Sequence, residues 1–321
     1  MNRKDFLKSM SLLGASFGFS STLFAEVLHS KKITSIGVQL WTLPKLLETY
    51  FEQTIKKIAE IGIKELELYG PFPFSDSREK EHWEYLATQL GFSGSGYFGN
   101  SPEHFLGILN DHQLKVPSIH TDLFTLESNM VSLAKAARQL NSTYVILPAI
   151  PEDLRTDLKG YEAMAQRFND IGKNAKNEGI RFAYHNHGYG LQAVDGVVPL
   201  ELILQETDPD LVYFEMDVFW TIAGRANPVQ LLQDYAGRYK MLHLKDMKTL
   251  THFKGDGSNP DDWIEMFPIL VPAGEGVLHL ETILKTADQT GIEHYFIEHD
   301  WAPQPLENIK SAYTFISNVD L

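Results

Sequence analysis

From residue 36 onward the chain alternates short β-branched or aromatic runs with amphipathic helical stretches, eight times over. The strand-like runs fall at 36–41, 63–69, 116–120, 143–147, 180–185, 211–217, 239–244 and 294–298. Helical spacing is read at 49–61, 127–140, 160–178, 198–206, 228–236, 278–290 and 306–317, with Gly62, Gly179 and Gly291 as stop signals. Eight strands joined by helices are the count of an α/β, single-domain (β/α)8 TIM barrel. A doubly wound open sheet shares the alternation, but it would gather its polar residues near one switch point. Here they mark the C-terminal ends of nearly all eight runs, which favours the barrel. Residues 70–115 exceed the simple repeat. Helices at 79–90 and 102–112 flank the Gly/Ser-rich piece 91–96, so an enlarged β2–β3 excursion is expected as a wall or lid.

Charge and composition narrow the chemistry. The 321 residues carry 42 Asp and Glu against 28 Lys and Arg, a formal charge of −14. Phosphate backbones need a basic face, so nucleic acid is excluded as a partner, and an anionic membrane surface equally. There is no cysteine, so disulfides, thiolate catalysis and Cys-based metal sites are excluded. His, Asp, Glu, Lys and a metal remain.

Residues 1–32 read as an address. A basic head, Arg3-Lys4-Asp5-Phe6-Leu7-Lys8, precedes an apolar stretch broken by Ser and Gly and too short to span a bilayer. The pattern is similar to a twin-arginine leader with Lys4 at the second arginine, which implies export, to the periplasm. An amphipathic N-terminal helix of a cytoplasmic protein is the alternative. The barrel is assigned to 33–321, and membrane contact is limited to the export step.

Strand ends of a barrel converge on one pocket. Read in order they offer Gln39 and Trp41, Glu67, His120 with Asp122, Pro148, His185-Asn186-His187, Glu215 and Asp217 with Trp220, His243 with Lys245-Asp246, and Glu298 with Asp300. Buried charges need partners, so these groups pair with one another or hold a cation. Imidazoles and carboxylates around one point suit a divalent metal, Mn, Co, Zn or Mg. Asp217 and Glu298 could instead pair with Lys245 or Arg225, and Lys245 could merely neutralise Asp246. Trp41, Glu67, His120, Trp220 and Asp300 are candidate substrate contacts, with packing or structural ion pairs as the alternatives for the tryptophans and Glu67. Gly274-Glu275-Gly276 resembles a phosphate loop, yet a tight turn fits better.

Taken together, Tyr184-His-Asn-His187, Glu215-Met-Asp-Val-Phe-Trp220, Gly224-Arg-Ala-Asn-Pro228, Leu242-His-Leu-Lys-Asp246 and Phe296-Ile-Glu-His-Asp300 resemble the sugar phosphate isomerase/epimerase family of xylose isomerase-like, endonuclease IV-like barrels. The resemblance implies a divalent ion held by strands five to eight. By position, Asp217, His243 and Glu298 match its ligands. His185 stands where a metal-binding, proton-abstracting Glu commonly sits, and Trp220 replaces a substrate-contacting His. His185 completes the expected ligand set, with His187 as alternative ligand or base.

The expected catalytic residues are His185, His187, Lys245 and Glu298. A cation gripping a hydroxyl and an adjacent carbonyl favours enediolate formation, and an imidazole titrating near ~6.5 could take the carbon-bound proton. Returning it elsewhere gives an isomerase or epimerase acting on a keto-sugar, the main expectation. Expelling a β-oxygen gives a lyase or hydratase; exported relatives with His-Asn-His look like enzymes of 3-keto-glycosides. A non-catalytic sugar-binding barrel is the alternative of another class. In each case the partner is a small carbohydrate, and oligomerisation is left open.

Overall fold

The computed structural model describes residues 31–321; the expected leader lies almost entirely outside the described residues. One compact unit spans Lys32–Leu321. Eight parallel strands close into a barrel: β1 (Gly37–Gln39), β2 (Glu65–Tyr69), β3 (Lys115–His120), β4 (Tyr144–Leu147), β5 (Arg181–His185), β6 (Val212–Asp217), β7 (Tyr239–Leu244) and β8 (His294–Ile297), in the circular order β1-β8-β7-β6-β5-β4-β3-β2. Each expected run coincides with one of them to within two residues at either end.

Around the barrel lie α1 (Pro44–Ile61), α2 (Ser77–Leu90), α3 (Pro102–Asp111), α4 (Leu123–Ser128), α5 (Met130–Leu140), α6 (Leu158–Asn177), α7 (Pro199–Glu206), α8 (Val218–Ala223), α9 (Pro228–Asp234), α10 (Pro260–Met266), α11 (Leu280–Thr290) and α12 (Pro305–Asn318). The sequence reading lacks α8 and α10 and reaches only the end of α4. These helices run six or seven residues, too few for a 3.6-residue period to declare itself. Among the described residues no helix is long and apolar enough to cross a membrane.

Side chains alternate across a strand, and this alternation builds the interior. Tyr144, Ile146, Ala183, Met241 and Phe296 form a cluster of their own, packed against Tyr213. A larger apolar cluster includes the alternate strand residues, among them Val145, Phe182, Phe214 and Leu242, together with helix residues such as Phe168 and Ile283. Position 37 must be glycine for this filling: a Cβ there would lie 2.4 Å from the Phe296 ring. Two residues further along every strand but β4, where Pro148 stands, the interior turns polar. Register sets Gln39 beside Glu67, His185 beside Glu215, and Asp217 beside His243.

Beyond β7 the chain makes a second excursion, unassigned in sequence. Asp246–Met247 pairs antiparallel with Leu270–Val271. The Gly274-Glu275-Gly276 turn folds over Asp246, whose carboxylate accepts from the backbone N–H groups of Met247 (2.8 Å), Gly274 (3.1 Å), Gly276 (3.1 Å) and Leu278 (3.0 Å). The turn thus cradles an anion, but one supplied by its own chain. A Cβ at position 276 would sit 2.2 Å from Asp246 Oδ1. We predict that Asp246→Ala, which strands these donors, lowers the unfolding free energy by about 3 kcal/mol or more, measured by urea denaturation; an unchanged midpoint would remove the cradle from the account of stability.

Candidate active site

Two layers of charge cap the apolar filling. In the lower layer Glu67, fully buried, accepts from Gln39 Nε2 (2.9 Å), Ser118 Oγ and the His243 ring. Glu215 Oε2 meets His120 Nε2 at 2.8 Å and His185 Nδ1 at 3.0 Å. Burial opposes a charge on His243 and His120. The carboxylates of Glu215, Glu298 and Glu67 outweigh it at His243, whose pKa lies well above 6.5. Glu67 and Glu215 do the same at His120, raised to about 9. Against the cost of burial, the two imidazolium rings hold Glu67 low and Glu215 at about 2.

The upper layer is centred on Lys245. Its ammonium lies 2.6 Å from Glu298 Oε2, 2.7 Å from Asp300 Oδ2 and 2.8 Å from Asp217 Oδ2. Burial disfavours this charge, but the three carboxylates raise its pKa well above 10.5. Burial also raises Asp217 to about 6 and Asp300 above the ordinary range, with Lys245 opposing both. The ion pairs expected as the plain alternative for Asp217 and Glu298 are therefore present with Lys245; Arg225 instead donates to Phe253 O. Lys245 does not neutralise Asp246, because neighbouring residues of an extended chain face opposite ways.

These layers also fit a cation. Asp217 Oδ1 caps α8 by accepting from Trp220 N at 2.9 Å, while buried Oδ2 makes no hydrogen bond of good geometry. Asp217, His243 and Glu298 each offer a ligand atom, all within 4.8 Å of one another. His185 Nε2 stands 3.9 Å from Asp217 Oδ2. Five carboxylates (Glu67, Glu215, Asp217, Glu298, Asp300) face three cations (His120, His243, Lys245), a negative surplus that grows when His243 gives up a proton to serve as a ligand, and that favours a divalent ion.

Above the layers opens a cavity of about 720 Å³ whose wall includes Trp41, His120, His185, His187, Trp220, Lys245, Glu298 and Asp300. Glu67 is not in that wall. Both its oxygens are taken by neighbours beneath the floor, which corrects its expected place as a substrate contact. Trp220 is 1% exposed, with a face against Phe253 at 5.8 Å and 9°, and so serves chiefly as packing. Trp41 is locked edge-on by Tyr69, Phe92 and Trp83. The His187 ring stacks on Trp263 at 4.5 Å.

The expectation of an imidazole base near 6.5 is not met. Burial, then the positive His243, holds His185 well below that value; burial, then Lys245, puts His187 at about 3. Both rings are neutral at neutral pH.

Arg78, Glu79, His82 and Trp83 also line the cavity, as do Trp263 on α10 and Phe267 just after it, and the residue list from sequence lacks them. For α2 a signal existed: Glu79, Trp83 and Leu86 recur at helical spacing in a helix that buries none of its residues. The excursion expected as wall or lid does form cavity wall. We predict that Glu215→Ala, which leaves buried His120 and His243 under-compensated, costs about 3–5 kcal/mol; an unchanged thermal midpoint would rule out this network as a structural support.

Known proteins share this fold. Inosose dehydratase from Clostridium beijerinckii is 29% identical over 278 residues, covering 84% of this chain and 89% of the relative. The crystal structure of a sugar phosphate isomerase/epimerase from Parabacteroides distasonis superposes with a TM-score of 0.68 at 20% identity, over 91% of this chain and 97% of the other. The structure of the IolI protein with a bound zinc atom gives 0.63 at 15% identity, over 89% and 97%. At those identities the two structures speak to fold alone. Residues 55–318 match the xylose isomerase-like TIM barrel family, and the chain belongs to it.

Proposed function

We propose that this protein is a divalent-metal-dependent carbon–oxygen lyase that eliminates water or an alcohol from a keto-sugar or keto-cyclitol. The observation that carries the reading is the meeting of Asp217, His243 and Glu298 beside Lys245, with Glu298, Lys245 and His187 lining the cavity. The relative named inosose dehydratase, matched over 84% of the chain, supports elimination over the isomerase outcome expected from sequence.

Asp217, His243, Glu298 and His185 would hold the metal. When bound, it would act as a Lewis acid toward the substrate carbonyl. Nε2 of His243 then stays on Glu67, which fixes the ring, as outer partners of metal-bound histidines do. His187, neutral and in no ion pair with a carboxylate among the described residues, takes the proton next to the carbonyl. A ring with so low a pKa accepts it only as negative charge develops on the sugar oxygens, and the resulting ion pair offsets the cost. Lys245 stabilises that charge. In a 3-keto-glycoside the C2–H bond breaks, its proton goes to His187, and the electron pair expels the C1 oxygen. That oxygen leaves protonated, with Lys245 and Asp300, in contact at 2.7 Å, as the acids within reach. Trp41 and His120 border the bound ring. The proposal places the protein in the periplasm, on the leader read at 1–32.

A panel of inososes, 3-keto-glycosides, sugar phosphates and free ketoses tests the reading. An enone product with released water or alcohol is expected. Aldose–ketose or epimer interconversion without elimination would replace it with isomerase chemistry, and metal-loaded protein that binds but turns nothing over would leave a sugar-binding barrel. Asp217→Ala and Glu298→Ala should each abolish bound metal by elemental analysis; undiminished occupancy rejects the ligand set. His187→Ala should keep its metal and lose about 10²–10⁴-fold in kcat; retention of activity would move the base elsewhere.

A further inference from the structure

A second, apolar groove of about 320 Å³ lies beside the main cavity, lined among others by Trp41, Lys45, Phe92, Trp301 and Pro303. Trp41 belongs to both walls, so the two spaces are neighbours across a single indole. On the far side, Trp301 stacks at 6.0 Å and 22° on Phe267, itself part of the main cavity wall. The groove thus borders the main cavity along aromatic walls on two sides.

Trp301 is unusual in two independent ways. The residue is 55% exposed, the one tryptophan among the exposed large apolar residues described. Its backbone sits at φ +54, a left-handed conformation that a bulky residue adopts only when its surroundings impose it. The residue before it is Asp300, held on Lys245. Strain of this kind collects where a side chain must be presented in a fixed direction. An exposed, flat aromatic beside a carbohydrate-sized cavity offers an apolar face to the C–H side of a sugar ring. Lys45, exposed and with no ion pair among the described residues, adds a donor for hydroxyls.

We propose that this groove is an outer subsite that seats the second ring of a glycoside, the one leaving on the C1 oxygen, against Trp301, while the reacting ring lies over Lys245. The main cavity holds the reacting unit and the groove the leaving one, so the substrate is a two-ring glycoside. The assignment rests on the proposed elimination for the reacting ring and adds the identity of its leaving group.

Trp301→Gly tests it, because glycine adopts φ +54 without strain and the fold is expected to survive. The substrates are 3-keto methyl β-glucoside and cellobiose carrying the 3-keto group on its non-reducing ring. Trp301→Gly should lower kcat/KM for the disaccharide about tenfold, the loss of one ring-stacking contact, and leave the methyl glycoside within twofold. Equal loss on both, or none on the disaccharide, overturns the subsite while leaving the elimination intact. If neither is turned over, the proposed reaction fails, and calorimetric titration with cellobiose and methyl β-glucoside decides the subsite by itself. Tighter binding of cellobiose that Trp301→Gly abolishes supports it; equal binding of the two sugars, or a variant that binds as well as the native protein, overturns it.

Discussion

Placing eight charged side chains inside a closed barrel is the constraint from which the rest follows. Isolated, any one of them would be costly to bury. Here each carboxylate touches an imidazolium or the Lys245 ammonium, and His243 joins the two layers by meeting Glu67 through one ring nitrogen and Glu298 through the other. Removing a partner leaves an uncompensated buried charge, which costs more than the pair ever contributed. The network therefore fixes side-chain directions as much as it stabilises the fold.

That rigidity is what a site for charge-developing chemistry needs. In the proposed reaction the groups around the reacting ring would be oriented before substrate arrives, and little reorganisation would be needed when negative charge appears on its oxygens. The surplus of negative charge among the described side chains is a physical reason for a divalent ion. The low pKa of His187 is the counterpart: the same Lys245 that would stabilise an oxyanion also discourages a proton on the neighbouring ring until that oxyanion forms.

The two excursions complete the cavity. Inserting α2 after β2 and α10 after β7 leaves the barrel unchanged, since loops at strand ends tolerate insertion. It supplies a tall, largely aromatic wall through Trp83, Trp263 and Phe267.

Much of this was legible before any coordinates. The eight strands declared themselves by alternation, and the period of two placed Glu215 with Asp217, and His243 with Lys245, on the inner face of their strands. From this came the barrel and the set of polar strand-end residues; the family resemblance then picked Asp217, His243 and Glu298 from that set as ligand candidates. What remained hidden depended on distances between segments far apart in the chain. Sequence could not say that Lys245 faces Asp217, Glu298 and Asp300 while Asp246 faces the amides of the 274–278 turn. Nor could it say that Glu67 lies beneath the floor, or that Trp301 stands beside a groove sharing Trp41 with the main cavity. Local pattern determines which face of a strand or helix a residue occupies, because that depends only on backbone periodicity. Which residues meet across the barrel, and hence which charges are compensated and which protons are held, depends on closure and register, and these exist only once the chain has folded.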